Sequence, residues 1–314
     1  MNYLKDYREG EKFVGTYLCK QKQILKTKAG KTYYSLTLQD KTGTADGKIW
    51  ELNNGVANFE PMDYIHCEGM VTSFQGNLQM NISRVRISDE GEYDPADYVP
   101  CTNKDVGEMF SRILKYVASV QNKYLRKILE MYFVENKEFV DAFKKHSAAK
   151  SVHHGFMGGL LEHTLSVTDM CQYFAEHYPM IHRDLLITAA LFHDMGKIQE
   201  ISDFPMNDYT DDGQLLGHIY IGARCMENAA AQIPNFPPKL KNELVHCILA
   251  HHGKMEFGSP KVPAIMEAMA LHMADNADAK LQTLTEVFTQ AGDNMGWLGF
   301  NRMFESNLRK TSEE

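Results

Sequence analysis

Nothing in the 314 residues approaches the run of about 18–20 apolar side chains that crosses a bilayer. The opening MNYLKDYREGEK is charged and has no apolar stretch of the kind that marks a chain for export. A soluble, cytoplasmic protein with no membrane partner is expected. Paired cysteines are missing too: Cys19, Cys67, Cys101, Cys171, Cys225 and Cys247 stand singly, mostly within apolar patterns, which suits reduced thiols packed as small hydrophobes. Nor is there a basic excess. A formal net charge of −8 argues against a simple basic protein that coats nucleic acid. The charge is uneven, however: residues 12–88 hold ten lysines and arginines against six acidic side chains, so a small basic module is joined to a large acidic one.

What is present suffices for two cores, with 44% hydrophobic residues in a length that suggests two domains. From residue 13 to 87 the pattern has period two. In YYSLTLQ, Tyr34, Leu36 and Leu38 share one face and Tyr33, Ser35, Thr37 and Gln39 the other. Asp40-Lys41-Thr42-Gly43 is a turn into a returning strand over 44–50, and Gln75-Gly76-Asn77 separates two further strands. Five short strands with an insert after the third predict a small closed barrel over residues 1–88. Residues 89–104, with Asp89-Glu90-Gly91-Glu92, Pro95 and Pro100, read as a linker. Beyond it an all-helical domain is expected over 105–314: Asp105 can cap a helix to about residue 120, and 122–134 and 137–145 keep helical apolar spacing.

The helical part is organised around LLITAALFHDMGK, residues 185–197. From Leu185 to Phe192 it is apolar on every side except at Thr188, which describes a buried helix, and it runs straight into His193 and Asp194. A carboxylate there is costly unless a cation or several donors compensate it, and histidine is the commonest neutral metal ligand. Gly196 would supply a left-handed residue to stop the helix, with Lys197 projecting into the cleft beyond. Other elements bring His163, then His218 after a Gly/Asp-rich loop, His251 and His252 before Gly253, and Asp275. A lone histidine on an apolar helix is usually a satisfied core residue. So many such groups on predominantly apolar helices point instead to a site for a divalent transition ion, and the absence of cysteine ligands argues against structural zinc.

Three resemblances follow. YYSLTLQDKTG, Lys48-Ile49-Trp50 and the closing hairpin resemble an OB-fold of the nucleic-acid-binding type. This implies that Tyr33, Lys48, Trp50 and Phe74 stack on bases or contact phosphates, with Lys20, Lys22, Lys26, Lys28 and Lys31 as a basic rim. The order H…HD…H…HH…D over 151–280 resembles the HD superfamily of metal-dependent phosphohydrolases in its two-metal form. The whole set, SVHHGFMGGLLEHT, FHDMGK, YTDDGQLLGH, ILAHHG and MADNADAK behind an OB-fold, is similar to the YhaM-type 3′→5′ exoribonucleases. The resemblance implies that His163, His193, Asp194 and Asp275 hold one ion, and that Asp194 bridges to a second held by His218 and by His251 or His252. Adjacent histidines on a helix cannot point the same way, so His251 is favoured as ligand and His252 as a supporting or substrate-contacting residue. The ions are expected to be Mn2+, with Co2+, Fe2+ or Mg2+ as alternatives. Asp194 and Lys197 would be catalytic, Lys197 on a phosphate oxygen, while His153 and His154 would contact the terminal nucleotide. The implied activity removes nucleoside monophosphates from the 3′ end of single-stranded RNA, or of single-stranded DNA. A nucleotide or cyclic-nucleotide phosphohydrolase and a non-catalytic single-strand-binding adaptor are the other readings. A homo-oligomer is compatible with all three.

Overall fold

The computed structural model describes residues 3–53, 55–74, 77–150 and 154–312. The chain divides into two compact units, Met1–Cys101 with Phe204–Met206, and Thr102–Asp203 with Asn207–Glu314.

In the first unit β1 (Lys12–Lys26), β2 (Thr32–Asp40), β3 (Gly43–Ile49), β4 (Tyr64–Phe74) and β5 (Asn77–Ile87) close into a barrel of order β1-β2-β3-β5-β4, as an OB-fold requires. The expected alternation produces it. Leu36 and Leu38 point inward to meet Phe13, Tyr17, Ile49, Ile65, Val71 and Ile82, each of which is buried. The β2–β3 turn is held by the buried Asp40, whose Oδ1 accepts from the Thr42 amide at 2.7 Å and whose Oδ2 accepts from the Leu4 amide at 2.6 Å. Closure comes from the parallel pairing of β3 with β5, with Asp46 opposite Gln79 and Lys48 opposite Asn81. Of the stretch read as a linker, residues 89–104, the part up to Cys101 belongs to this unit. Tyr93 stacks on Tyr64 at 4.0 Å between ring centroids and Tyr98 meets Tyr64 edge-on, with Tyr64 and Tyr98 both buried.

The second unit is helical: α1 (Val106–Ser119), α2 (Lys123–Glu130), α3 (Lys137–Lys145), α4 (Gly159–His177), α5 (Arg183–Phe192), α6 (Lys197–Glu200), α7 (Asp211–Ala231), α8 (Pro238–Ala250) and α9 (Met266–Gln290). Asp105, Asn122 and Asn136 cap the first three by accepting from amides of the first turn. A π turn over Met131–Glu135 replaces the end of the expected second helix. Every residue of α5 from Leu185 to Phe192 is buried, and its Leu, Ile and Phe side chains each contribute about 1.5–3 kcal/mol of burial. The C-terminal part is not wholly helical, since β6 (Phe300–Asn301) pairs with β7 (Ser306–Asn307) in a short hairpin. Among the described residues no helix is long and apolar enough to cross a membrane.

Two local expectations are corrected. The Gly/Asp-rich stretch before His218 is helical, because Thr210 accepts from the Gly213 amide and starts α7 at Asp211. The break comes later, at Gly217, with φ 72° and ψ 154°. Gly196 is right-handed, with φ −64°. It is glycine for space: a Cβ there would lie 2.1 Å from the His218 carbonyl oxygen, so its absence lets the start of α6 pack against the backbone of α7.

Candidate metal centre

Five elements of the helical unit bring their polar residues to one place. His163 lies early in α4, His193 and Asp194 just past α5, His218 directly after the Gly217 break, His251 and His252 in the turn closing α8, and Asp275 in mid α9. Asp194 sits at the centre with 2% exposure. Its Oδ2 is 3.3 Å from His163 Nε2 and 3.5 Å from His193 Nε2, and Asp275 Oδ1 lies 3.3 Å from the same His163 nitrogen. Its Oδ1 is 3.5 Å from His218 Nε2 and 3.6 Å from His251 Nε2. One carboxylate thus serves two clusters: ligand atoms of His163, His193 and Asp275 lie within 4.8 Å of one another, as do those of Asp194, His218, His251 and His252. Separations of about 3.0–3.5 Å are the edges of a coordination shell whose bonds are about 2.0–2.2 Å long.

The histidine tautomers support the same reading. Nδ1 of His193 donates to the Ala190 carbonyl at 2.8 Å, Nδ1 of His251 to Ile248 at 2.6 Å, and Nδ1 of His252 to Phe257 at 2.7 Å. Nδ1 of His163 donates to Asp278 at 2.7 Å and Nδ1 of His218 to Glu200 at 2.9 Å. A carbonyl or carboxylate only accepts, so a proton is on Nδ1 and, in the neutral ring, each Nε2 offers a lone pair inward. Asp194 Oδ1, His218 Nε2 and His251 Nε2 are buried without a hydrogen-bond partner. Unpaired buried acceptors are costly, and a divalent cation is the species that satisfies several at once. On the other side, His163 and His193 face each other Nε2 to Nε2 at 3.1 Å, two lone pairs that only a proton or a cation reconciles. Without a bound cation, the surrounding carboxylates favour a proton on His163. Burial opposes its charge, but Asp194, Asp275 and Asp278 outweigh burial and raise its pKa well above the ordinary value. Burial dominates at His193 and His252, pushing them down to about 4 and about 3.

Lys197 turns back onto the site, with Nζ 2.7 Å from Asp194 Oδ2, rather than reaching free into a cleft. Burial works against its charge, and the Asp194 carboxylate more than offsets this, so its pKa is raised. The choice between His251 and His252 is also altered. Both rings lie past the last residue of α8, where turn geometry lets neighbours face the same point, and their centroids are 4.3 Å apart. His154 is no surface contact for a nucleotide: it is buried, with φ 56°, and its Nε2 donates to Asp278 at 2.9 Å behind His163. His153 lies outside the described residues.

On the barrel, Tyr33 and Trp50 stack at 4.6 Å with Trp50 39% exposed, and Phe74 is 62% exposed. Lys48 is not free for a phosphate, because its ammonium is bound by Asp46 at 2.6 Å and Ser35 at 2.7 Å. Lys22 is likewise held by the Phe59 carbonyl, whereas Lys20, Lys26 and Lys28 are exposed. Two important residues had no place in the sequence reading, Asp278 and Glu200. The spacing Asp275-x-x-Asp278 on a helix was the available signal for the first; Glu200, in a four-residue helix, gave none.

The HD domain family model matches residues 160–280, a span that includes all of the converging residues. The 3′-5′ exoribonuclease YhaM of Bacillus subtilis (strain 168) is 32% identical over 262 residues, covering 81% of each chain. That of Listeria innocua serovar 6a is 32% identical over 293 residues, covering 90% of each. Among solved structures, the second OB-fold domain of replication protein A from Methanococcus maripaludis covers 29% of this chain and 98% of its own, with 20% identity and a TM-score of 0.24. Fold and site together define an HD-domain protein with an N-terminal five-stranded barrel. More specifically, the chain belongs to the family of the 3′-5′ exoribonuclease YhaM.

Proposed function

We propose that this enzyme hydrolyses single-stranded RNA from its 3′ end in the cytoplasm, using two divalent metal ions that share Asp194. His163, His193, Asp194 and Asp275 would hold one ion, and Asp194, His218, His251 and His252 the other, with Mn2+ the first choice for a site of imidazoles and carboxylates. When bound, such a pair supplies Lewis acidity and an activated water at neutral pH. The observation that carries this reading is the Asp194 carboxylate, which presents one oxygen to each of two histidine clusters whose Nε2 atoms face inward.

The chain's own part is positioning and charge. Nδ1 hydrogen bonds fix every ring, so the ligands need little rearrangement on loading. Lys197, held at Asp194 Oδ2, is within reach of a phosphate docked on that side and would offset the charge that builds on its oxygens. The barrel, taken as residues 1–88 ahead of a 105–314 hydrolase domain, would hold the strand by stacking on Tyr33, Trp50 and Phe74, with Lys20, Lys26 and Lys28 near phosphates. Such contacts read little sequence.

The test is end-labelled RNA incubated with the purified protein and Mn2+, with single-stranded DNA and free nucleotides in parallel. A ladder shortening from the 3′ end, releasing nucleoside monophosphates and abolished by chelator, is expected. An unchanged ladder with nucleotides hydrolysed would move the activity to a nucleotide phosphohydrolase, and RNA binding with no turnover would make the chain an adaptor.

A further inference from the structure

Resting on the two-ion reading, we infer that Glu200 and Asp278, neither of them among the ligands proposed above, are positioning residues that each govern one of the two ions separately. Glu200 Oε1 accepts twice from the same residue, from the His218 amide at 2.9 Å and from His218 Nδ1 at 2.9 Å, and so fixes backbone and ring together at the point where Gly217 breaks α7. Asp278 gathers three donors: His163 Nδ1 at 2.7 Å and His154 Nε2 at 2.9 Å on Oδ2, and the Ser166 hydroxyl on Oδ1. His193, His251 and His252 are held by main-chain carbonyls that no substitution can remove. Only His163 and His218 depend on side chains, and they fall in different clusters. A carboxylate behind a ligating imidazole fixes its tautomer and raises its basicity, an effect worth roughly 10–100-fold in metal affinity.

The experiment is equilibrium dialysis of the full-length protein against graded Mn2+ with elemental analysis, together with Mn2+ electron paramagnetic resonance. Glu200→Ala is expected to weaken one of two equivalents roughly 10–100-fold and leave the other, replacing a spin-coupled pair by an isolated Mn2+ spectrum at intermediate concentrations. Asp278→Ala should do the same to the other equivalent. Added to His218→Ala, the Glu200 change should have no further effect, whereas the Asp278 change should weaken the ion that remains. Glu200→Gln and Asp278→Asn, which keep an acceptor oxygen, should lose less and serve if the alanine variants do not fold. Wild-type affinities in all variants, or equal loss of both ions in either single variant, would overturn the inference. Wild-type protein that takes up no Mn2+ would instead overturn the two-ion reading beneath it.

Discussion

Asp194 lies nearly without exposure between histidines on one side and Lys197 on another, and its cost of burial is met only by what it binds. Asp194→Ala should therefore empty both metal positions, read as the loss of about two Mn2+ equivalents, while the far-ultraviolet circular dichroism of the helical unit persists because its helices are held by a large apolar core. Two equivalents retained would refute the shared role. His163 adds a pH dependence with a definite sign. Its raised pKa means that the metal-free protein carries a proton there at neutral pH, which stabilises the fold fully below the ordinary histidine value of about 6.5 and is lost as pH rises through the raised one. Mn2+ must displace that proton, so apparent affinity should climb with pH through neutrality, by up to about tenfold per unit, with proton release detectable by calorimetry in buffers of different ionisation enthalpy. An affinity flat over this range would contradict it. Most of the converging side chains were legible as single letters, because histidines on apolar helices are conspicuous. Asp278, Glu200 and the committed state of Lys48 were not, since a hydrogen-bond partner across the fold leaves no local pattern.

Helix α5 could be read from sequence because eight consecutive residues, apolar but for Thr188, are buried on all sides, and the cap Asp105 announced the helix that follows it. Helix α6 could not, being four residues long and too short for periodicity. Yet α6 supplies Lys197 and Glu200, and its seat on α7 is set by two glycines: a Cβ on Gly196 would meet the His218 carbonyl at 2.1 Å, and one on Gly213 the Glu200 carbonyl at 2.1 Å. Glycine was expected at 196 for its handedness, and the structure uses it for close approach. Gly196→Ala should push α6 off α7, lower the melting temperature by an amount equivalent to about 1–3 kcal/mol, and weaken the ion on the His218 side first. Titration with Mn2+ and thermal denaturation check both parts, and unchanged melting would show that the contact is not as tight as the backbone requires.

At the level of the whole chain, a basic barrel and an acidic helical unit were visible as a shift in charge and in hydrophobic period, while the packing of Tyr93 and Tyr98 on Tyr64 was hidden in a stretch that looked polar. If the barrel holds the strand and the helical unit cuts it, Trp50→Ala with Phe74→Ala should weaken binding of long single-stranded RNA by about 1–3 kcal/mol for each stacked base lost, yet leave hydrolysis of a dinucleotide nearly unchanged. Equal losses on both substrates, measured as KM and kcat, would argue against that division. The account as a whole rests on two ions sharing one carboxylate. Anomalous diffraction from crystals grown with Mn2+ tests this most directly. Two peaks about 3.5–4 Å apart, one on each oxygen of Asp194, are predicted; a single peak, or two that do not have Asp194 between them, would contradict it.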